Sequence, residues 1–265
     1  MARNDLVDAE LVLLPYNYLV DRKTQGTIAS LDLANAVVIF DEAHNIESTC
    51  SDAASTEIRQ ADLAGCQREV EACRKLLNGG QNVEGIDYAI LDESHRFVSG
   101  IQSELARIEL NGEGRLLQRG EYIVEFFARA GLTADTAKYH ATALEQIARA
   151  HLESQYNRKG GDSMSCAVYE LALTLRTVFR FADDEKENLA SSIVQDADRK
   201  YFRVFAEENQ RKERSINYWC FNSGIALREL QGRGIHCMLL TSGTLSPLSS
   251  FSAELQVYVC CSTCF

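Results

Sequence analysis

Residues 37–44 read VVIFDEAH, four apolar residues followed by two carboxylates, an alanine and a histidine. A short apolar run is typical of a strand buried on both faces of a parallel sheet. Ligands of such sheets collect at the carboxyl ends of the strands, where Asp41 and Glu42 would lie. Two adjacent acids there suit a metal–phosphate site, in which one holds Mg²⁺ and the other polarises a water. The alternative is an acidic turn between a core strand and a capped helix.

The composition of the chain is that of an ordinary globular protein, with 46% hydrophobic and 25% charged residues among 265. Its net charge of −11 is the wrong sign for binding phosphates over the whole surface. Nucleic-acid binding would need a local cluster of basic residues. The candidates are Arg199, Lys200 and Arg203, and residues 211–214. Either group is also typical of a solvent-exposed helix or loop face. No apolar run approaches the ~20 residues of a membrane span, and no signal-type core follows Met1, so we expect no membrane partner.

The nine cysteines do not have the spacing of a metal site. Cys66 and Cys73, seven residues apart, are expected near one helix face as small apolar core residues. Only Cys260, Cys261 and Cys264 cluster, and three thiols without a nearby histidine fall short of a four-ligand zinc site. The simplest interpretation is a reduced, intracellular protein.

The order of elements predicts an α/β sheet interrupted by about 130 helical residues. Apolar runs at 9–14 and 36–40 predict strands, with a short helix or turn over 16–21. Strand character returns at 201–205, 216–221 and 235–240, with a short helix over 225–230. Between about residues 51 and 183 the spacing predicts helices, marked successively by Leu63, Val70, Leu76 and Leu77; Phe97, Ile101, Leu105 and Ile108; Leu116, Ile123, Val124 and Phe127; Leu144, Ile147, His151 and Leu152; and Tyr169, Leu173, Arg176 and Arg180.

The last predicted strand runs directly into residues 241–247, TSGTLSP. Hydroxyl groups and a glycine at the end of a strand can bond a neighbouring side chain and let a backbone approach closely. The alternative is a Ser/Thr turn closed by proline.

Together these segments resemble the motifs of a known family. VIFDEAHNIE at residues 38–47 and LTSGTLSP at residues 240–247 are similar to the DEAH and third motifs of the iron–sulfur superfamily 2 DNA helicases. That family includes the helicases mutated in xeroderma pigmentosum group D and in Fanconi anaemia. LPYNYL at residues 14–19 and YWCFNSG at residues 218–224 resemble its telomere-maintaining branch. The resemblance extends from residue 6 to about residue 251.

The resemblance implies a nuclear, ATP-dependent 5′-to-3′ helicase that unwinds DNA structures in DNA repair and telomere maintenance. The implied fold is an α/β, incomplete RecA-like motor domain with a parallel sheet, interrupted by a mainly helical arch-type insert. We expect residues 1–50 and 211–251 to belong to the first motor domain, residues 51–210 to form the arch, and residues 252–265 to be a divergent tail.

The resemblance also implies roles for individual residues. Asp41 would hold Mg²⁺ and Glu42 would activate the water that attacks ATP. His44 would couple the state of the nucleotide to the third motif, through Ser242, Gly243 and Thr244.

Two departures from the family pattern bear on activity. The sequence contains no G-x-x-x-x-G-K-[ST] phosphate loop, and the four cysteines that hold the family's 4Fe–4S cluster would fall upstream of Met1. We therefore expect a helicase fragment that does not hydrolyse ATP by itself. The alternative is a non-catalytic interaction module, in which the arch binds protein partners.

Overall fold

The computed structural model describes residues 9–25, 28, 30–80, 83, 85–159, 166–180, 197–243 and 248–255. The chain divides into two compact units. The first, which we call the parallel-sheet unit, comprises residues 1–55 and 219–265. The second, which we call the insert unit, comprises residues 56–218.

The parallel-sheet unit is built around two strands that are far apart in the sequence. β1 (Val37–Phe40) pairs in parallel with β6 (Cys237–Leu240), in a register that sets Val37 opposite Cys237 and Phe40 opposite Leu240. Short helices surround this pair: α1 (Asn17–Val20), α2 (Arg22–Gln25), α3 (Ile46–Ala53), α9 (Gly224–Gln231) and α10 (Leu248–Leu255). The predicted helix or turn over 16–21, the strand over 36–40 and the helix over 225–230 are confirmed.

The core of this unit lies on one side of the two strands. Phe40 and Ile46 are completely buried, or nearly so, and pack with Leu227 of α9. The ring of Tyr16 meets the ring of Phe40 edge-on, with 6.1 Å between the centroids. These contacts fix the direction in which β1 releases the chain at Asp41.

Two expectations for this unit are wrong. β1 is not buried on both faces, because Val37 and Ile39 keep 53% and 62% of their surface exposed. Alternate residues of a strand point to opposite faces, and only the face that carries Val38 and Phe40 is covered among the described residues. Residues 9–14 form no strand, since no described strand pairs with them.

The insert unit combines long helices with an antiparallel sheet. Its helices are α4 (Gln60–Asn78), α5 (Tyr88–Arg107), α6 (Tyr122–Arg129), α7 (Ala134–Lys159) and α8 (Ala167–Phe179). The sheet has the order β2-β5-β4-β3, with the strands β2 (Thr56–Arg59), β3 (Arg115–Arg119), β4 (Phe202–Glu208) and β5 (Arg214–Cys220). The predicted strands over 201–205 and 216–221 are confirmed, with ends shifted by one to three residues.

The structure corrects the purely helical interpretation of residues 51–183. β2 and β3 both lie inside that stretch, and Leu116, expected to mark the third helix, belongs to β3. β3 pairs with β4 so that Leu116 lies opposite Ala206 and Leu117 opposite Phe205. A partner strand some ninety residues away thus decides the structure of a segment whose local spacing also suits a helix.

Buried small residues bring the helices of the insert close together. Cys66 and Cys73 are buried on the same side of α4, as expected, and burial raises the pKa of the Cys73 thiol to about 11.

The carboxylate of Glu69, on α4, caps the start of α8. It accepts hydrogen bonds from the backbone N–H groups of Ala167 and Val168, at 3.0 and 2.9 Å. This satisfies two of the unpaired donors at the start of α8.

Gly100 lies where α5 comes close to the end of α6. A Cβ atom at this position of α5 would lie 2.5 Å from the carbonyl oxygen of Ala130, which follows α6. Real Cβ atoms do not come so near a backbone oxygen, so only glycine fits without displacing the neighbour.

We expect Gly100→Ala to lower the free energy of unfolding by about 1–3 kcal/mol, because the added methyl group forces the backbone at Ala130 to move. Helix propensity alone predicts the opposite sign, since alanine is favoured over glycine by about 1 kcal/mol. Urea unfolding followed by circular dichroism measures the difference. Ser103→Ala, at an exposed position of the same helix, is the control and should change stability by less than about 0.5 kcal/mol. A Gly100→Ala variant as stable as the parent would contradict the close packing.

Candidate active site

The carboxyl ends of β1 and β6 lie side by side, and the two sequence motifs follow them directly. The backbone N–H of Thr241 donates to the carbonyl oxygen of Phe40, at 2.9 Å. The N–H of Ala43 donates in turn to the carbonyl oxygen of Thr241, also at 2.9 Å. These two bonds extend the parallel pairing past the strands and bring residues 41–44 against residues 241–243.

The side chains of the two motifs also bond to each other. Thr241 Oγ1 donates to Asp41 Oδ1 at 2.8 Å, across 200 residues of sequence. Ser242 Oγ lies 3.5 Å from Glu42 Oε2 and 3.2 Å from Nδ1 of His44. His44 Nδ1 is also 3.2 Å from Glu42 Oε2. The hydroxyl, the carboxylate and the imidazole therefore form a triangle of mutual contacts.

Asn45 contacts the second ring nitrogen of His44. The amide nitrogen of Asn45, which can only donate, is 2.9 Å from His44 Nε2. With the amide in this orientation Nε2 accepts, so the proton of the neutral ring is on Nδ1. Nδ1–H then points at Glu42 and Ser242, which makes His44 a donor toward both motifs.

The backbone at Glu42 is strained. Its φ of 51° and ψ of 44° place it in the left-handed region, and it opens the short 3₁₀ turn Ala43–Asn45. This conformation costs a residue with a Cβ atom about 1–2 kcal/mol. The sharp reversal turns the chain from β1 into α3 while Glu42 stays at the strand end. A non-glycine residue in such a conformation is a common mark of a functional site.

The site is open to solvent. The side chains of Glu42 and His44 keep 69% and 43% of their surface exposed. Asp41 uses one carboxylate oxygen for its bond to Thr241. Among the described residues, the carboxylate of Glu42 lies 3.2 Å from His44 and 3.5 Å from Ser242. Both acids can therefore accept bonds from a metal-bound water or an attacking water.

The oxygen donors at the strand end fit Mg²⁺ in part. Mg²⁺ in nucleotide sites is held by one or two carboxylates with waters and substrate phosphates, which matches Asp41 beside the Thr241 hydroxyl. No group of three or more His, Cys, Asp or Glu side chains that could hold a metal occurs among the described residues. A cation here would therefore depend on phosphate oxygens from the substrate.

Four of the six residues expected at the site are brought together by the structure: Asp41, Glu42, His44 and Ser242. Gly243 follows them, and a Cβ atom there would meet nothing within 4 Å among the described residues. Thr244 lies outside the described residues. Thr241 and Asn45 also belong to this cluster, although the sequence pattern predicted a role for neither. Thr241 could have been found from the parallel register, because it occupies the same position after β6 that Asp41 occupies after β1.

Comparisons with known proteins match both parts of the chain. The family model DEAD_2 matches residues 1–63, and the family model "RTEL1 helicase, ARCH domain" matches residues 81–223, more than half of the chain. Regulator of telomere elongation helicase 1 of Pongo abelii is 30% identical over 292 residues, covering 97% of this chain and 22% of the relative. The rice homolog (Oryza sativa subsp. japonica) is 28% identical over 273 residues, covering 94% and 25%. The chain thus spans about a quarter of the length of these relatives.

A solved structure shows the same fold. The chain described as "Truncated XPD" aligns with a TM-score of 0.51 and 16% sequence identity, covering 96% of this chain and 57% of the other. At this identity the likeness concerns the fold, and it agrees with a RecA-like parallel sheet interrupted by an arch-type insert, as the sequence predicted. With the arch model covering most of the insert and the DEAD_2 model covering Asp41 to His44, the chain belongs to the XPD-like DNA helicase family, in its RTEL1-type branch.

Proposed function

We propose that this chain supplies the hydrolytic half of the ATP site of an ATP-dependent 5′-to-3′ DNA helicase, acting in DNA repair and telomere maintenance in the nucleus. The observation that carries the proposal is the bonded cluster at the ends of β1 and β6. It joins the carboxylates of Asp41 and Glu42 to the hydroxyls of Thr241 and Ser242. Adjacent carboxylates of this kind suit phosphoryl transfer, which needs positioning and charge neutralisation more than covalent chemistry.

In this proposal the two carboxylates have different roles, one in binding the metal and the other in accepting a proton. Asp41, oriented by its 2.8 Å bond from Thr241, would hold Mg²⁺ through its remaining oxygen. Mg²⁺ there would neutralise charge that develops on the β- and γ-phosphates. Glu42, more exposed and less tightly bonded, would accept a proton from the attacking water.

His44 and Ser242 would link hydrolysis to movement. Ser242 contacts both Glu42 and His44. A movement of either residue on loss of the γ-phosphate would therefore displace the segment that follows β6. This agrees with a coupling role for residues 242–244. The described contacts of this path, at 3.2 and 3.5 Å, are at the long end of hydrogen-bond distances.

The domain assignment is part of the same proposal. Residues 1–50 and 211–251 would belong to the first motor domain, residues 51–210 to the arch, and residues 252–265 to a tail. DNA would be the substrate of the whole helicase. No group of three or more His, Cys, Asp or Glu side chains that could hold a metal occurs among the described residues, so the family's 4Fe–4S cluster would need other ligands.

A binding role for the arch is the second candidate. The insert forms a compact unit with its own helices and a four-stranded sheet, which an independent interaction module requires. In that case protein partners of the arch would bind whether or not ATP is hydrolysed.

We expect the purified 265-residue chain to show no DNA-stimulated ATP hydrolysis. Its sequence contains no phosphate loop, so the β- and γ-phosphates lack the backbone N–H cradle and the lysine that position them. A coupled phosphate-release assay with and without single-stranded DNA measures the rate, with Glu42→Gln as the blank. Turnover that exceeds the blank would contradict this expectation.

The role of Glu42 can be tested in a complete helicase. Residues 6–251 would replace the matching segment of the rice relative, which would supply the rest of the motor. We expect Glu42→Gln in this chimaera to lower kcat for DNA-stimulated ATP hydrolysis by about 10²–10⁴-fold, because the general base is removed.

The matched control for this variant is Asp52→Asn, which removes an exposed carboxylate of α3 that lies outside the cluster. Its kcat should stay within about twofold of the parent chimaera. Equal activity of the Glu42→Gln and parent chimaeras would refute the assignment of Glu42, whereas an equal drop in both variants would show that the effect is not specific to the site.

A further inference from the structure

β3 is an edge strand of the insert sheet, with a partner on one side only. The sheet order β2-β5-β4-β3 gives it β4 as its neighbour, and no other described strand pairs with it. Four of its five residues are exposed, so the strand is largely uncovered in the described part of the chain. An edge strand presents a row of unpaired backbone N–H and C=O groups, which another extended chain can use for pairing.

The register decides which backbone groups of β3 point away from the sheet. The N–H of Glu208 donates to the carbonyl oxygen of Gly114 at 3.0 Å, so Gly114 faces β4. Because this direction alternates along an antiparallel pair, Leu117 and Arg119 direct their N–H and C=O groups away from β4. Among the residues that the structure describes, none forms a hydrogen bond with these four groups.

Asn111 closes the beginning of this edge. Its side-chain oxygen accepts a hydrogen bond from the backbone N–H of Arg115 at 3.0 Å, and its own N–H donates to the carbonyl oxygen of Arg115 at 2.8 Å. Arg115 is the outward-facing residue before Leu117, so its backbone is already paired. The free part of the edge is therefore residues 117–119, which can form four backbone hydrogen bonds with an antiparallel strand.

The charge at the free part of the edge is positive. Arg119 is exposed and lies directly opposite Arg203 of β4, on the same face of the sheet. No carboxylate forms an ion pair with either arginine in the part of the chain that the structure describes. Arg203 Nη1 donates instead to the carbonyl oxygens of Lys200 and Phe202, at 2.9 and 2.7 Å. Like charges in opposed positions are destabilising, so an acid on an added strand would relieve the repulsion.

The other basic residues noted in the sequence do not add to this charge. Arg214 bonds to Glu208 at 3.0 Å and to the carbonyl oxygens of residues 105, 106 and 108. It joins β5 to the end of α5, and its charge is used inside the insert. Arg199 is itself buried.

The charges of β3 disfavour pairing with a second copy of the same edge. In an antiparallel pair centred on Leu117, Arg119 of each copy would lie opposite Arg115 of the other. Both of these pairs would oppose like charges, which is destabilising. An edge that repels itself while its backbone donors and acceptors stay free favours a partner strand of opposite charge.

We propose that the edge of β3 binds an extended acidic protein segment, which joins the insert sheet as a fifth strand. Leu117 and Arg119 would exchange four backbone hydrogen bonds with the segment, and these supply affinity for any extended chain. Leu117, with 65% of its surface exposed, lies on the same face as Arg119. An apolar residue opposite Leu117 and an acid opposite Arg119 would supply specificity. The inference rests on the binding role proposed for the insert and names the surface and the class of partner.

The test uses the full 265-residue chain and a fluorescein-labelled peptide of sequence SETVTES. Paired with β3, this peptide places its valine opposite Leu117 and a glutamate opposite Arg119. Fluorescence anisotropy measures binding at chain concentrations up to about 1 mM, the weak end of specific recognition. We expect saturable binding, and absence of binding in this range would overturn the proposal.

Two N-methylated versions of the peptide test strand addition without changing the protein. A methyl group on the valine nitrogen removes an N–H that faces β3, whereas one on the nitrogen of the preceding threonine removes an N–H that faces away. We expect the first peptide to bind about tenfold more weakly than SETVTES and the second to bind equally well. Equal binding of the two methylated peptides would contradict backbone pairing and overturn the proposal.

The charge preference is tested with Arg119→Glu. This variant should bind SETVTES about fivefold more weakly and bind SKTVTKS, in which lysines replace the glutamates, about fivefold more tightly than the parent does. Tighter binding of the lysine peptide also shows that the edge of the variant is intact. The matched control is Arg96→Glu, at an exposed position of α5, which makes the same change in net charge. Equal effects of the two substitutions would overturn the proposal, because overall charge would then explain them.

Competition with unlabelled oligo(dT) separates a protein strand from polyanions in general. Oligo(dT) carries negative charge but no backbone amide groups, so it should displace the peptide poorly. Displacement at an equal concentration of negative charge would show that the edge recognises charge alone, and the proposal would be wrong. The assay contains no ATP, so its failure would leave the role of Glu42 untouched, and an inactive parent chimaera would leave peptide binding unchanged.

Discussion

The parallel pairing of β1 with β6 is the constraint on which the rest of the parallel-sheet unit depends. Residues 200 apart must meet for Thr241 to bond Asp41. Closing a flexible loop of that length would cost roughly 5 kcal/mol of conformational entropy, a cost that rises only slowly with the length of the loop. The insert unit lowers this entropy cost, because residues 56–218 have their own core and therefore add little flexible chain to the loop. The bonded cluster at the ends of β1 and β6 therefore forms around an insert that is compact in itself.

The local pattern of apolar and polar residues was sufficient to predict the two strands that lead into the proposed active site. The apolar run before Asp41 and the one before Thr241 each predicted a strand, and the polar residues after them predicted a site at the strand ends. The bonds between the two motifs then follow from register, since the first residue after β1 faces the first residue after β6. Only a register, which sequence spacing alone does not provide, identifies Thr241 as the partner of Asp41.

The sequence could not predict β2 and β3, because each is stabilised by a strand that is distant in the sequence. Each strand has four or five residues and gains its stability from a partner elsewhere, on β5 for β2 and on β4 for β3. Leu116 has helix-compatible neighbours at Ile123 and Phe127, yet it pairs with Ala206. The same non-local pairing creates the juxtaposition of Arg119 with Arg203, which are more than eighty residues apart and belong to no common motif.

At Glu42 the residue that best suits the left-handed backbone is not the residue that supplies a carboxylate. Glycine or asparagine would occupy that conformation with less strain, so either substitution would relax the turn while removing the carboxylate. A population of variants selected only for folding would therefore drift away from glutamate at this position. Stability screens that ignore activity would therefore score the replacement of Glu42 by glycine as an improvement.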